Sequence, residues 1–165
     1  MKDLLTRGLS VVICGTAPGN RSGRRGKYYA GRGNKFWRTL YEIRLTLTEL
    51  NPDEYENLLK QKDKIGLTDL VKRRFGNDNI MSKRDFDVKG FKKKIKNYRP
   101  KLICFNGKRA AQFVLERRID DYGLQGEEIY SIPVLVVPNT STKANRWWNK
   151  EPWEELSKII RRTRV

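Results

Sequence analysis

Three short, largely apolar stretches of the chain are rich in β-branched or aromatic residues: residues 10–14, 101–105 and 132–137. Each stops at Gly, Asn or Pro, and short runs of this kind predict buried parallel strands whose C-terminal ends open into loops. Between and after them, helical spacing of apolar residues predicts helices over residues 34–42, 54–62, 87–96, 109–117 and 152–162. The last begins at Pro152, a residue suited to the first helical position. Strands alternating with helices predict an α/β fold, a three-layer α/β/α sandwich around a short, mainly parallel central sheet. Residues 64–71 fit either a fourth strand or an extended wall, and residues 19–33 read as a long ordered loop. With 165 residues and no internal repeat, a single domain over 1–165 is expected.

Charge narrows the partner. Lys and Arg total 36 against 19 Asp and Glu, there is no His, and the formal charge is +17. Such an excess points to a polyanion. The apolar runs, such as Val11-Val12-Ile13-Cys14, are too short to span a bilayer, so nucleic acid is expected rather than a membrane. Leu4-Leu5 is broken by Arg7 before a signal-peptide core develops, so a cytoplasmic protein is expected, nucleoid-associated in a prokaryote. Cys14 and Cys104 lie at the apolar ends of probable strands without CxxC spacing, which predicts reduced core thiols; no metal or cofactor is expected.

In open α/β sheets, ligands bind beyond the carboxyl ends of the strands, which directs attention to residues 15–37, 106–111 and 138–148. The turn Gly15-Thr16-Ala17-Pro18-Gly19 lets backbone amides approach a ligand closely. It is no P-loop, because Gly26-Lys27 is followed by Tyr28 and Arg21 occupies the position that needs glycine.

Taken in order, that turn, the pair Tyr28-Tyr29, the run Asn34-Lys35-Phe36-Trp37, the stretch Phe105-Asn106-Gly107-Lys108 and the loop Pro138-Asn139-Thr140-Ser141 form a pattern. It resembles the uracil-DNA glycosylase superfamily, in particular its mismatch-specific uracil/thymine and hypoxanthine branches. The stretch Gly66-Leu67-Thr68-Asp69-Leu70-Val71 is similar to the wall segment between the two halves of that fold. The resemblance implies a monofunctional DNA glycosylase that flips a deaminated or mismatched base and hydrolyses its N-glycosidic bond. Uracil is the expected base, with hypoxanthine or thymine opposite guanine as rivals, and the partner is duplex DNA bound by a monomer. Ala17 stands where the mismatch-specific group carries a water-positioning Asn; the hypoxanthine branch draws that Asn from the segment that falls on Asn34. A catalytically silent nucleic-acid binder on the same fold is the alternative, and an RNA-associated protein a third.

Breaking an N-glycosidic bond builds positive charge on the sugar and negative charge on the departing base, so the site must stabilise an anion and hold one water. Thr16 and Ala17 in the catalytic turn, with Gly15 and Pro18 bordering the base, are expected to present amides to a base oxygen. Asn34 is expected to position water or to cap the following helix, or both. Asn106 either reads a base N–H and its neighbouring carbonyl or caps the helix after Gly107. Tyr29 is expected to stack on the base and Tyr28 to shape the pocket, with plain packing as the other reading, whereas Phe36, Trp37 and Leu40 belong to the core. Asn139, Thr140, Ser141, Lys143 and Arg146 are expected on phosphates, with Trp147 or Trp148 as a wedge and one Trp in the core. Arg21, Arg24, Arg25, Lys27, Arg32 and Lys35 suggest a phosphate-gripping flap, and Lys92, Lys93, Lys94 and Lys96 a solvated helix face.

Overall fold

The computed structural model describes residues 1–164. Five strands, β1 (Val11–Gly15), β2 (Ile65–Asp69), β3 (Ile103–Asn106), β4 (Gly123–Ile129) and β5 (Ile132–Val137), form one sheet in the order β2-β1-β3-β5-β4. The first four in that order run parallel, and β4 closes the edge antiparallel to β5. The helices are α1 (Asn20–Arg25), α2 (Phe36–Glu42), α3 (Val88–Tyr98), α4 (Lys108–Leu115) and α5 (Glu151–Arg162).

Side-chain alternation along the strands creates the three layers. Val11, Ile13, Leu67, Cys104, Leu135 and Val137 face α2 and α5, where Phe36, Leu40, Trp153 and Leu156 are buried. Val12, Cys14, Ile103, Phe105, Val134 and Val136 face α3 and α4 through Phe91, Ile95, Ala110 and Val114. Each such side chain contributes about 1.5–3 kcal/mol on leaving water, so both faces are strongly specified. The two core tryptophans also hold loops. The Trp153 indole N–H donates to the Pro138 carbonyl at 3.0 Å, and that of Trp37 to the Tyr28 carbonyl at 3.2 Å.

Three segments differ from the sequence reading. Residues 64–71 do contain a strand, β2, buried along its whole length. The helix expected over 54–62 is a 3₁₀ helix, Pro52–Lys60, begun by a capping box between Asn51 and Glu54. The flap expected as a loop contains α1, which offers almost no apolar signal because Ser22 is its only buried residue. The Ser22 hydroxyl accepts from the Ala30 amide at 2.8 Å and so ties the flap back on itself. β4 was not foreseen, since Gly and Glu dominate it and it holds its place by pairing with β5 across a register shift between Leu124 and Glu128.

The chain leaves β1 toward β2 on one side and leaves β3 toward β5 on the other. That reversal opens a crevice at the C-terminal ends of β1 and β3.

Candidate active site

One cleft of about 630 Å³ occupies the crevice. Gly15 from the end of β1, Asp69 from the end of β2, Asn106 from the end of β3 and Asn139 just beyond β5 all line it. Ala17, Asn34, Asn106 and Ser141, drawn from segments far apart in sequence, meet there. Thr16, Pro18, Arg21, Tyr28, Tyr29, Arg32 and Lys143 are further expected residues that line it.

The turn after β1 is locked by its carbonyls. Those of Gly15, Thr16 and Pro18 accept from the amides of Leu70, Val71 and Gly76 at 3.0, 2.8 and 2.9 Å. Among the described residues the amides of Ala17 and Gly19 take no protein acceptor, so the turn retains donors for a ligand.

Tyr28 and Tyr29 do different jobs. Tyr28 is buried, and its hydroxyl donates to the Lys2 carbonyl at 2.8 Å, so it backs the pocket wall. Tyr29 adopts φ 50°, a left-handed conformation costly for a non-glycine residue. Its ring stacks on Phe36 at 3.9 Å between centroids, yet the residue remains partly open at the cleft. Its buried hydroxyl lacks a well-formed hydrogen bond. Burial and the neighbouring Asp69 push its ionisation well up, with Asn106 opposing.

Asn34 touches both the entry to α2 and the cleft. Its Oδ1 accepts from the Phe36 amide at 3.0 Å, at the entry to α2, and the residue lines the cleft with its amide nitrogen uncommitted among the described residues. Gly33 just before it has φ 72° and packs so close to the last loop that a Cβ would lie 2.8 Å from the Thr142 methyl. The Lys35 amide donates to the Thr140 carbonyl at 3.0 Å, which fixes the flap against that loop.

Asn106 is held by Thr140. The Thr140 amide donates to Asn106 Oδ1 at 3.2 Å, and Asn106 Nδ2 donates to the Thr140 hydroxyl at 3.0 Å. A backbone N–H can only donate, so this contact fixes which end of the carboxamide is oxygen. One N–H and one lone pair remain for a ligand. Thr140 itself corrects an expectation: it is 0% exposed and cannot touch a phosphate directly, because its amide and hydroxyl turn inward to Asn106.

The basic residues divide between the rim and elsewhere. Arg21, Arg32 and Lys143 line the cleft, and Lys143 Nζ donates to Asn77 across its mouth. Arg25 instead pairs with Asp53 at 2.9 Å, Lys27 lies 5.2 Å above the Tyr55 ring, and Arg24 is exposed on α1; none of the three lines the cleft. Arg146 likewise sits outside it, 5.1 Å above the Trp147 ring. Of the three C-terminal tryptophans, Trp153 is core, Trp148 is half-buried against it, and Trp147 is 59% exposed.

Asp69 is the site residue that the sequence reading left unassigned. It is 5% exposed, lines the cleft, and its carboxylate makes no hydrogen bond among the described residues. Burial raises its pKa to about 6, against the opposing pull of Lys72. Gly15 leaves the room it needs, since a Cβ there would lie 2.6 Å from Asp69 Oδ1 and 3.2 Å from the Tyr29 hydroxyl.

Against known families, residues 3–161 match the profile of the Uracil DNA glycosylase superfamily. The chain belongs to that superfamily. Among solved structures, it is similar to the solution NMR structure of a candidate uracil DNA glycosylase from Methanosarcina acetivorans, with 25% sequence identity and a TM-score of 0.67. That alignment covers 98% of this chain and 95% of the other. Within this glycosylase superfamily the chain therefore carries its polar cleft residues on strand ends, with Ala17 in the first turn and asparagines on the second and third strand-end loops.

Proposed function

We propose that the protein is a monofunctional DNA glycosylase that excises a deaminated or mismatched base, uracil foremost, from duplex DNA. The observation that carries this reading is the convergence of Ala17, Asn34, Asn106 and Ser141 on one cleft at the strand ends, in a chain with a formal charge of +17. The extruded base enters between the first turn and Asn106, with the open side of Tyr29 against its face. Free amides of the turn and the spare N–H of Asn106 donate to base oxygens as negative charge gathers on them. Asn34 holds the attacking water by its uncommitted amide nitrogen. Arg32 and Lys143 grip phosphates at the rim, and the exposed Trp147 fills the vacated stack, offsetting part of the few-kcal/mol cost of flipping.

A panel of duplexes carrying uracil, hypoxanthine, xanthine or thymine opposite each normal base tests the assignment. The expected product is an abasic site, seen as strand breaks only after alkali. Breaks without alkali would point instead to a covalent amine mechanism, for which Lys143 lines the cleft. A second reading, a silent nucleic-acid binder, is favoured by Ala17, which has no polar side-chain atom to orient water; it predicts salt-dependent binding without abasic sites.

The rim assignment makes its own prediction. Replacing Arg32 and Lys143 together by Gln is expected to lower the slope of log Kd against log salt by about 2, at about 0.9 per phosphate contact. An unchanged slope would move the phosphate contacts elsewhere.

A further inference from the structure

The end of the sheet opposite the cleft carries a second group of cations. Leu4 bridges Leu67 on the outer side of β2, and the chain then turns through Arg7 and Gly8, the latter at φ 80°, before it enters β1. Backbone hydrogen bonds set the starts of two more strands beside that turn. The Ser10 amide donates to the Lys64 carbonyl at 2.9 Å, and the Lys101 amide donates to the Leu9 carbonyl at 3.1 Å. Lys64, Arg7 and Lys101 therefore follow one another across the starts of β2, β1 and β3, and all three are exposed. Neighbouring strands lie about 4.8 Å apart, which separates Lys64 from Lys101 by about 10 Å, enough for each to meet a phosphate of its own.

Carboxylates do not cancel this charge. Asp63, beside Lys64, is 5% exposed and is neutralised by Arg164, whose Nε donates to Oδ1 at 3.0 Å. Two exposed carboxylates border the row: Glu49, on the loop whose Leu47 amide meets Gln61 at 3.1 Å, and Glu128, on β4 two strands beyond β3. Among the described residues, Arg7, Lys62, Lys64 and Lys101 enter no ion pair. Lys96, Arg161 and Arg162 stand in the last turns of α3 and α5, where they complement the helix ends. Lys101 does so in part, since its Nζ donates to the Thr163 carbonyl just beyond α5 at 3.4 Å. Arg7 and Lys64 have no helix end to serve. Like charges held together repel and cost stability, and a polyanion laid across them removes that cost.

We propose that this face binds a second segment of duplex DNA while the cleft holds the first. A row of cations across strand starts suits a phosphate backbone. Leu47 and Tyr130, the exposed apolar side chains nearest to it, are isolated residues and do not form the continuous apolar face that a membrane surface requires. The inference rests on the glycosylase reading for the identity of the polyanion and goes beyond it in giving the protein two DNA surfaces. β1 and β2 are each five residues long, so their two ends lie about 15 Å apart and can face different segments at once. A protein held this way passes from one segment to the next without entering free solution, which shortens its search through an excess of normal pairs.

Sedimentation at low salt in an excess of short duplex tests this, with wild type and the triple variant Arg7→Gln, Lys64→Gln, Lys101→Gln. The probe is a duplex of about 12 base pairs with a 2′-fluoro uracil nucleotide, about 40 Å long and too stiff to reach both faces. Wild type should sediment as one protein with two duplexes, the second released with a slope of log Kd against log salt of about 3. The variant should stop at one duplex. It should melt no earlier and should excise uracil in a single turnover at the wild-type rate, because none of the three residues lines the cleft. Loss of a labelled duplex should quicken in proportion to added unlabelled duplex for wild type, and should be independent of it for the variant. A wild type that stops at one duplex, or a variant that still takes two, overturns the inference; if uracil is excised, the glycosylase reading stands. In the first case, phosphatidylserine vesicles bound by wild type and lost by the variant would assign the face to a membrane surface instead. If neither protein excises any base, the glycosylase reading fails, and the number of duplexes held still decides this inference.

Discussion

Replacing Asn34 by Ala should slow single-turnover excision by about 10²- to 10³-fold, the range lost when one preorganised polar group at a reacting centre is removed. Part of any effect could come through the fold, because Asn34 Oδ1 accepts from the Phe36 amide and so stabilises the entry to α2, a contact of about 1 kcal/mol. Asn34→Asp separates the two. A carboxylate keeps the acceptor for Phe36 and loses only the amide N–H donors. Both variants should be slow, but only Asn34→Ala should melt measurably earlier. If Asn34→Asp retains the wild-type rate, the residue serves α2 alone, and the water must be held elsewhere.

Asp69→Asn should stabilise the folded protein above pH 6, on the order of 3 kcal/mol, and change little at pH 4. The folded-state pKa is raised from 3.8 to about 6 by burial, about two units at 1.36 kcal/mol each. Between these values the folded chain holds a proton that the unfolded chain has released. Stability from this group is therefore complete below pH 4 and is lost as pH rises through 6. Denaturant midpoints of both proteins at pH 4 and pH 8 isolate the effect, since the ion pairs of Asp3, Glu42 and Glu127 are common to both. Equal differences at the two pH values would mean that the carboxyl is not held in an ionisation-hostile site.

What could be seen in the sequence followed how fully each element is buried. β1, β3 and β5 are covered on both faces by helices, so their residues form largely apolar runs that announce strands within two residues of their ends. β4 lies at an edge with most positions open to solvent, and α1 buries one serine; neither needs an apolar pattern, and neither has one. The site followed the same logic. Asn106 was visible because it ends a recognisable strand, whereas Asp69 was passed over because residues 64–71 fitted a wall as well as a strand. Had that run been taken as a strand, the rule that selects strand ends would have selected Asp69. Side-chain direction was not visible at all: Thr140 turns inward to Asn106, Arg25 to Asp53, and Lys27 to Tyr55.

The account as a whole stands on a base lodged among strand-end loops, and the most direct measurement is a structure bound to duplex DNA in which a 2′-fluoro sugar makes the uracil nucleotide resistant to cleavage. The uracil should lie outside the helical stack, within hydrogen-bond distance of Asn106 and against Tyr29, with Trp147 in the gap it leaves. A base still paired in the duplex, or DNA seated on a face remote from the cleft, would contradict the account.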